Sequence, residues 1–215
     1  MGGDGDPGPL LQDRAYARIK ERIQDGTYPA GAFLSERRLS RDLGMSKTPI
    51  RAALTRLGLE GFVAVSPRQG IVVREPSLRE IVDLFDLRAA LESFVVRALA
   101  GRLAPPQAER LRKNLRAQEE RARAGDLREL TRLDTEFHLL LCEFLDNREI
   151  LRALSGLRDK LHRVILHVMK AEGRPREACR EHAAIAEAIL KGNGDLAARR
   201  LVEHLEFGKK YLVSR

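Results

Sequence analysis

The sequence predicts a mainly α-helical protein in two parts, an N-terminal winged helix-turn-helix of α/β character and a C-terminal all-α bundle of about six helices. Three observations carry this. Two short helical segments joined by a tight turn are followed by a stretch of strand period; everything after Pro76 keeps a helical period; and the breaks between the later apolar stripes are short. With 215 residues and 43% apolar side chains the chain can bury two cores. The expected boundaries are 1–10 for a disordered, Gly/Pro/Asp-rich start, 11–75 for the winged helix and 76–215 for the bundle, with a hinge at Glu75-Pro76-Ser77.

Leu11–Gln24 carries Tyr16, Ile19 and Ile23 at helical spacing, and the turn residues Asp25 to Gly31 cannot extend it. Ser35 is a good N-cap for Glu36–Leu43, Gly44 suits the left-handed residue that closes that helix, and Ser46 is placed to cap Lys47–Glu60. Pro49 is tolerated there, because the first-turn amide it lacks has no intrahelical partner. Phe62–Val65 and Ile71–Val73, either side of Ser66–Gly70, read as a β-hairpin. From Leu78 helical stripes run through Ile81, Phe85 and Val95; Leu111 and Leu115; Leu130, Phe137 and Leu141; Leu154, Leu161 and Val168; Ile185 and Ile189; and Leu201, Leu205 and Leu212.

Charge is uneven along the chain. The net is +8, and Leu11–Glu75 holds 12 Lys/Arg against 7 Asp/Glu. A basic N-terminal third points to an acidic polymer as partner. No apolar run of about 18 residues and no leader-like start occurs, so a cytoplasmic protein without a membrane partner is expected. Cys142 and Cys179 lack a CxxC spacing and read as buried thiols.

In a winged helix the second helix of the pair enters the major groove of double-stranded DNA by its N-terminal end, which places Ser46, Lys47, Thr48 and Arg51 within reach of bases and phosphates. The helix start favours a phosphate through its free amides, Arg37 adds positive charge nearby, and Gly70 with Arg68 beside it suits a wing tip entering the minor groove. Tyr28-Pro29-Ala30-Gly31, Leu34-Ser35-Glu36-Arg37, Gly44 to Arg51, Leu54, Leu57, Glu60-Gly61-Phe62 and Gly70 together resemble the winged-helix signature of GntR-family bacterial transcription regulators. The helical remainder resembles the FCD effector domain of that family's FadR branch. The resemblance spans Leu11 to Leu212 and implies a homodimer on a palindromic operator, with Arg37, Lys47, Thr48, Arg51 and Gly70 at DNA-contacting positions. Lys47 departs from the usual Arg, replacing a forked contact by a point charge, and Ala52 stands where Glu is common.

Four polar residues interrupt the later stripes. Asp134 and His138 share one helix face, His182 lies on the stripe of Ile185 and Ile189, and His204 on that of Leu201 and Leu205. Burying such groups is costly unless they share partners or an ion, and three imidazoles with one carboxylate suit a divalent transition metal, zinc or nickel in a purified sample. The metal-binding FCD families resemble this chain in the same Asp-x-x-x-His, Glu-His-x-x-Ile and third His. His162 and His167 read as surface residues. Arg88, also inside a stripe, either pairs with Glu92 one turn on or clamps the carboxylate of a small effector. The expected function is a metabolite-responsive repressor or activator and not an enzyme; a regulator for which the metal itself is the signal, and a metal-dependent hydrolase, are the alternatives.

Overall fold

The computed structural model describes residues 10–66 and 70–213. The expectation of disorder at the start therefore falls on residues outside the described range, Leu10 excepted. The chain divides into two compact units, Met1–Glu75 and Pro76–Arg215.

The first unit runs α1 (Leu11–Gln24), β1 (Phe33–Leu34), α2 (Glu36–Leu43), α3 (Lys47–Leu59), β2 (Val63–Ser66) and β3 (Gly70–Val73). In α1, Ala15, Ile19 and Ile23 recur every fourth residue and are buried against Leu39, Ile50 and Leu57 of the next two helices. Ser35 caps α2 by accepting from the Arg38 amide at 3.2 Å, and Gly44 closes it at φ 64°. Ser46 takes the N-cap position of α3 with an extended backbone, but its hydroxyl makes no bond to a helix amide. The cap expected there is positional only, and the hydroxyl stays exposed. The far end of α3 is tied to α1, because Tyr16 donates to Glu60 at 2.6 Å while Arg56 lies 3.7 Å over the Tyr16 ring. The sheet is antiparallel in the order β1-β3-β2, with Leu34 opposite Ile71 and Val63 opposite Val73. β1 was not expected from the sequence, since two residues show no period and pair only through the distant β3.

The second unit contains α4 (Leu78–Leu99), α5 (Pro105–Ala124), α6 (Leu127–Phe144), α7 (Arg148–Val168), α8 (Arg174–Leu190) and α9 (Gly194–Val213). Ser77, read as part of a hinge, caps α4: its hydroxyl accepts from the Glu80 amide while Glu80 accepts from the Ser77 amide at 2.8 Å. Ser77→Ala is expected to lower unfolding stability by about 1 kcal/mol in a urea titration; an unchanged midpoint would show that the cap is not formed in solution. Asp126 and Asn147 cap α6 and α7 by accepting from first-turn amides, without the reciprocal bond. Leu111, Leu130, Phe137, Leu161, Ile185 and Leu201 are all within 1% of complete burial, so the predicted stripes meet in one core. Gly101 and Gly192 let two turns cross closely, since a Cβ on Gly101 would sit 3.3 Å from the Gly192 Cα.

Candidate metal centre and DNA-reading surface

Asp134 and His138 of α6, His182 of α8 and His204 of α9 are all buried, and each offers a ligand atom within 4.8 Å of the others. The structure thus brings together four residues that lie up to 70 positions apart in sequence. His182 Nε2 is 3.1 Å from His204 Nε2 and 3.5 Å from Asp134 Oδ1, and His138 Nε2 is buried with no hydrogen-bond partner.

The opposite nitrogen of each ring explains this crowding. His138 Nδ1 lies 2.6 Å from Glu92 Oε2, His182 Nδ1 2.7 Å from Gln118 Oε1 and His204 Nδ1 2.6 Å from Glu181 Oε2. The Gln118 amide nitrogen is engaged with Asn114 Oδ1, which leaves its oxygen for His182. Each of these acceptors favours a proton on the Nδ1 it faces, although Arg174 Nη2 also lies 3.2 Å from His204 Nδ1, and the three Nε2 atoms converge beside a carboxylate. Burial pushes the pKa values of His182 and His204 down, which keeps these rings neutral. Converging lone pairs repel unless a cation lies between them, so this donor set fits a divalent metal whose ligands are oriented from behind.

The residues behind the cluster were only partly legible. Glu92 pairs with Arg88 at 2.8 Å, as their one-turn spacing predicts, while its second oxygen holds His138, which that spacing does not predict. Burial alone would raise the Glu92 carboxyl, but Arg88 and His138 outweigh it and hold it at about 2. Asn114 and Gln118 interrupt the inner face of α5 beside Leu111, a signal the sequence did carry. Arg174, 2% exposed, grips Glu181 through two 2.8 Å bonds and lies 4.1 Å over Phe207. It opens α8 directly after Gly173, where no stripe had begun to mark it as internal. A cavity of about 30 Å³ reaches Asp134 and His204 and is lined by both Arg88 and Arg174. His167 is exposed as expected, whereas His162 is half-buried, and burial beside Arg158 lowers its pKa.

In the first unit Arg37, Ser46, Lys47, Thr48 and Arg51 are all exposed, and the first turn of α3 holds no acidic residue. Arg51 is bound through two 2.9 Å contacts to Glu36, whose carboxyl is thereby held below its usual value. Gly70 begins β3 at φ 87°, which favours glycine, while Arg68 lies outside the described residues. No helix among the described residues is long and apolar enough to cross a membrane.

Comparison with known proteins agrees with this architecture. The profile of bacterial regulatory proteins of the gntR family matches residues 11–73, and that of the FCD domain matches residues 83–207. The chain is 30% identical over 191 residues to a transcriptional repressor assigned to the D-xylose utilization operon of Paenarthrobacter nicotinovorans, covering 87% of this chain and 82% of that one. It is 26% identical over 200 residues to the transcriptional repressor RspR of Escherichia coli K12, covering 93% and 88%. A GntR regulator structure from Rhodococcus sp. RHA1 superposes with a TM-score of 0.84 at 22% identity, covering 96% of this chain and 99% of that one, which shows the shared fold. These relatives are regulators of transcription and not enzymes, which removes the hydrolase alternative. The chain belongs to the GntR family of DNA-binding transcription regulators, in the branch whose C-terminal half is an FCD domain.

Proposed function

We propose that this regulator binds a palindromic operator as a homodimer, reads it with Lys47, Thr48 and Arg51 at the start of α3 supported by Arg37, Ser46, Arg68 and Gly70, and is controlled by a small carboxylate at a metal centre. The observation that carries the regulatory half is the convergence of three Nε2 atoms and Asp134, each ring being fixed from its Nδ1 side. A divalent ion at this position would supply a Lewis-acidic anchor for a carboxylate. Zinc and nickel suit the nitrogen-rich set best. Arg88 and Arg174 line the adjoining cavity and are the available anion partners. Two of the relatives carry the word repressor in their names, which supports repression as the sign of control.

A second reading has an observation of its own. The cavity of about 30 Å³ has room for a single water-sized group. An organic acid larger than that requires some of the lining side chains to move, whereas a metal ion as the signal does not. Titrating operator affinity with metal, with and without a panel of mono- and dicarboxylates, separates the two readings. Arg88→Lys preserves a positive partner for Glu92 but loses the guanidinium fork. It is expected to retain metal and operator while weakening the acid about tenfold, read by calorimetry. Equal acid affinity in wild type and variant would reduce Arg88 to a partner of Glu92.

A further inference from the structure

A second cavity, of about 20 Å³, shares Arg88 and Ile165 with the first and otherwise has walls of its own, among them Glu92, Thr135, His138 and Arg158. Two of these groups lack a partner. Thr135 is 4% exposed, yet its hydroxyl makes no hydrogen bond. A helical Ser or Thr can turn its hydroxyl back to the carbonyl four residues earlier, as Thr55, Thr131 and Ser155 do in this chain. Thr135 does not, and a buried hydroxyl left without a partner is costly. Arg158, half-buried on α7, forms no hydrogen bond or ion pair among the described residues. Glu92, the carboxylate lining this cavity, cannot serve it, since one oxygen is held by Arg88 at 2.8 Å and the other by His138 at 2.6 Å.

The two cavities are offset along the bundle. On α4 the first takes Phe85 and Arg88, the second Arg88 and Glu92; on α6 the first takes Asp134, the second Thr135 and His138. The offset is about one helical turn, about 5 Å, which an acid with about two or three carbons between its carboxyl groups can bridge. Of the two shared walls, Arg88 is tied to Glu92, whereas Ile165 is held by packing alone and is the side chain that must turn aside for one molecule to occupy both. Charge leads to the same chemistry. Asp134, Glu92 and Glu181 carry one more negative charge around the cluster than Arg88 and Arg174 balance. A divalent ion converts that to an excess of one positive charge, which a single carboxylate meets. Arg158 adds another, which a monocarboxylate leaves unmet.

We infer that Thr135 and Arg158 form a second anion-binding subsite, and that the effector is therefore a short dicarboxylate, with one carboxyl group at the metal cluster and the other on Thr135 and Arg158. The inference deepens the carboxylate reading above and rests on it. The hydroxyl donates one hydrogen bond and the guanidinium fork two, a set that matches the two oxygens of a carboxylate. The cavity is water-sized, which suits a flat carboxylate better than a bulkier tetrahedral phosphate.

Calorimetry on the full-length, zinc-loaded protein tests it, with succinate as the dicarboxylate and butyrate as the monocarboxylate of equal chain length. Wild type should bind succinate at least about tenfold more tightly than butyrate. Arg158→Gln should abolish that preference by weakening succinate, with zinc content and butyrate affinity unchanged. Lys160→Gln, which removes a charge from the exposed side of the same helix, should keep it. Thr135→Val should weaken succinate about threefold while the melting temperature holds or rises, because the unpartnered hydroxyl is gone. A stability role alone for Thr135 would move the melting temperature and leave the preference intact. Equal affinity for the two acids in wild type, or an intact preference in Arg158→Gln, overturns the subsite while leaving a monocarboxylate effector standing. A zinc-loaded wild type that binds neither acid overturns both the subsite and the carboxylate reading.

Discussion

His138→Ala is expected to strip the divalent ion from the purified protein and to lower its melting temperature by about 10 °C. A ligand present at roughly a thousand times its dissociation constant stabilises the folded state by about 4 kcal/mol, and a domain of this size moves by about 2–4 °C per kcal/mol. The substitution also leaves Glu92 buried with Arg88 as its remaining partner, and opens a gap against Phe137, whose ring stands edge-on 5.3 Å away. His204→Ala should behave alike, because Glu181 then loses the ring it holds at 2.6 Å. His167→Ala, altering an exposed ring, should do neither. Elemental analysis with thermal shift checks this: wild type from metal-replete medium containing no ion, together with no shift on adding zinc, nickel or manganese, would remove the site. Acid should weaken the metal-free protein in two windows. Burial lowers His182 and His204, so as pH falls below about 6.5 the unfolded chain takes up protons that the folded chain refuses. Glu92 and Glu181, held at about 2, contribute stability present above about 4.5 and lost as pH falls towards 2.

On the DNA side, Arg51→Ala is expected to weaken specific operator binding by about 1–3 kcal/mol and to relax base preference, while Lys47→Ala lowers affinity with less loss of discrimination. Arg51 is exposed but not idle in the free protein, since it donates to both oxygens of Glu36 through the Nε–Nη2 edge of its guanidinium. Its removal therefore also leaves the Glu36 carboxylate with Lys47 as its remaining positive neighbour on the DNA-reading surface, which should push the loss towards the upper end of that range. The salt dependence separates the two residues, because a lost phosphate contact reduces the slope of log affinity against log salt by about one. Gel shifts at fixed ionic strength measure both, and unchanged operator affinity in both variants would sink the assignment of α3 as the reading helix.

What the sequence made legible was local. The bounds of α1 and α2 follow from a four-residue apolar repeat and from Ser35 and Gly44, whose cap and left-handed turn need no distant partner. Asp134, His138, His182 and His204 stood out because each breaks a stripe whose period is itself local. The pairing of their supports did not. Glu92 is 46 residues from His138 and Gln118 is 64 from His182, so a polar break on a helix face can be seen in the sequence but not which distant histidine it holds. The unused cap at Ser46 and the Arg51–Glu36 pair show the same limit, for propensity tells where a side chain can bond but not which of several neighbours reaches it first.

The bonded cap at the start of α4 gives the helix a firm end close to the junction with the DNA-reading unit. From Ser77 to Glu92 is 15 residues, a lever arm of about 22 Å. A tilt of about 10° imposed at Glu92 would swing the tip by about 4 Å, which is larger than the roughly 3.4 Å rise of one base pair. Fraying would absorb that swing within a turn, whereas a capped first turn keeps the helix stiff to its end, so one serine hydroxyl limits how much of a tilt at Glu92 is lost before it reaches Ser77.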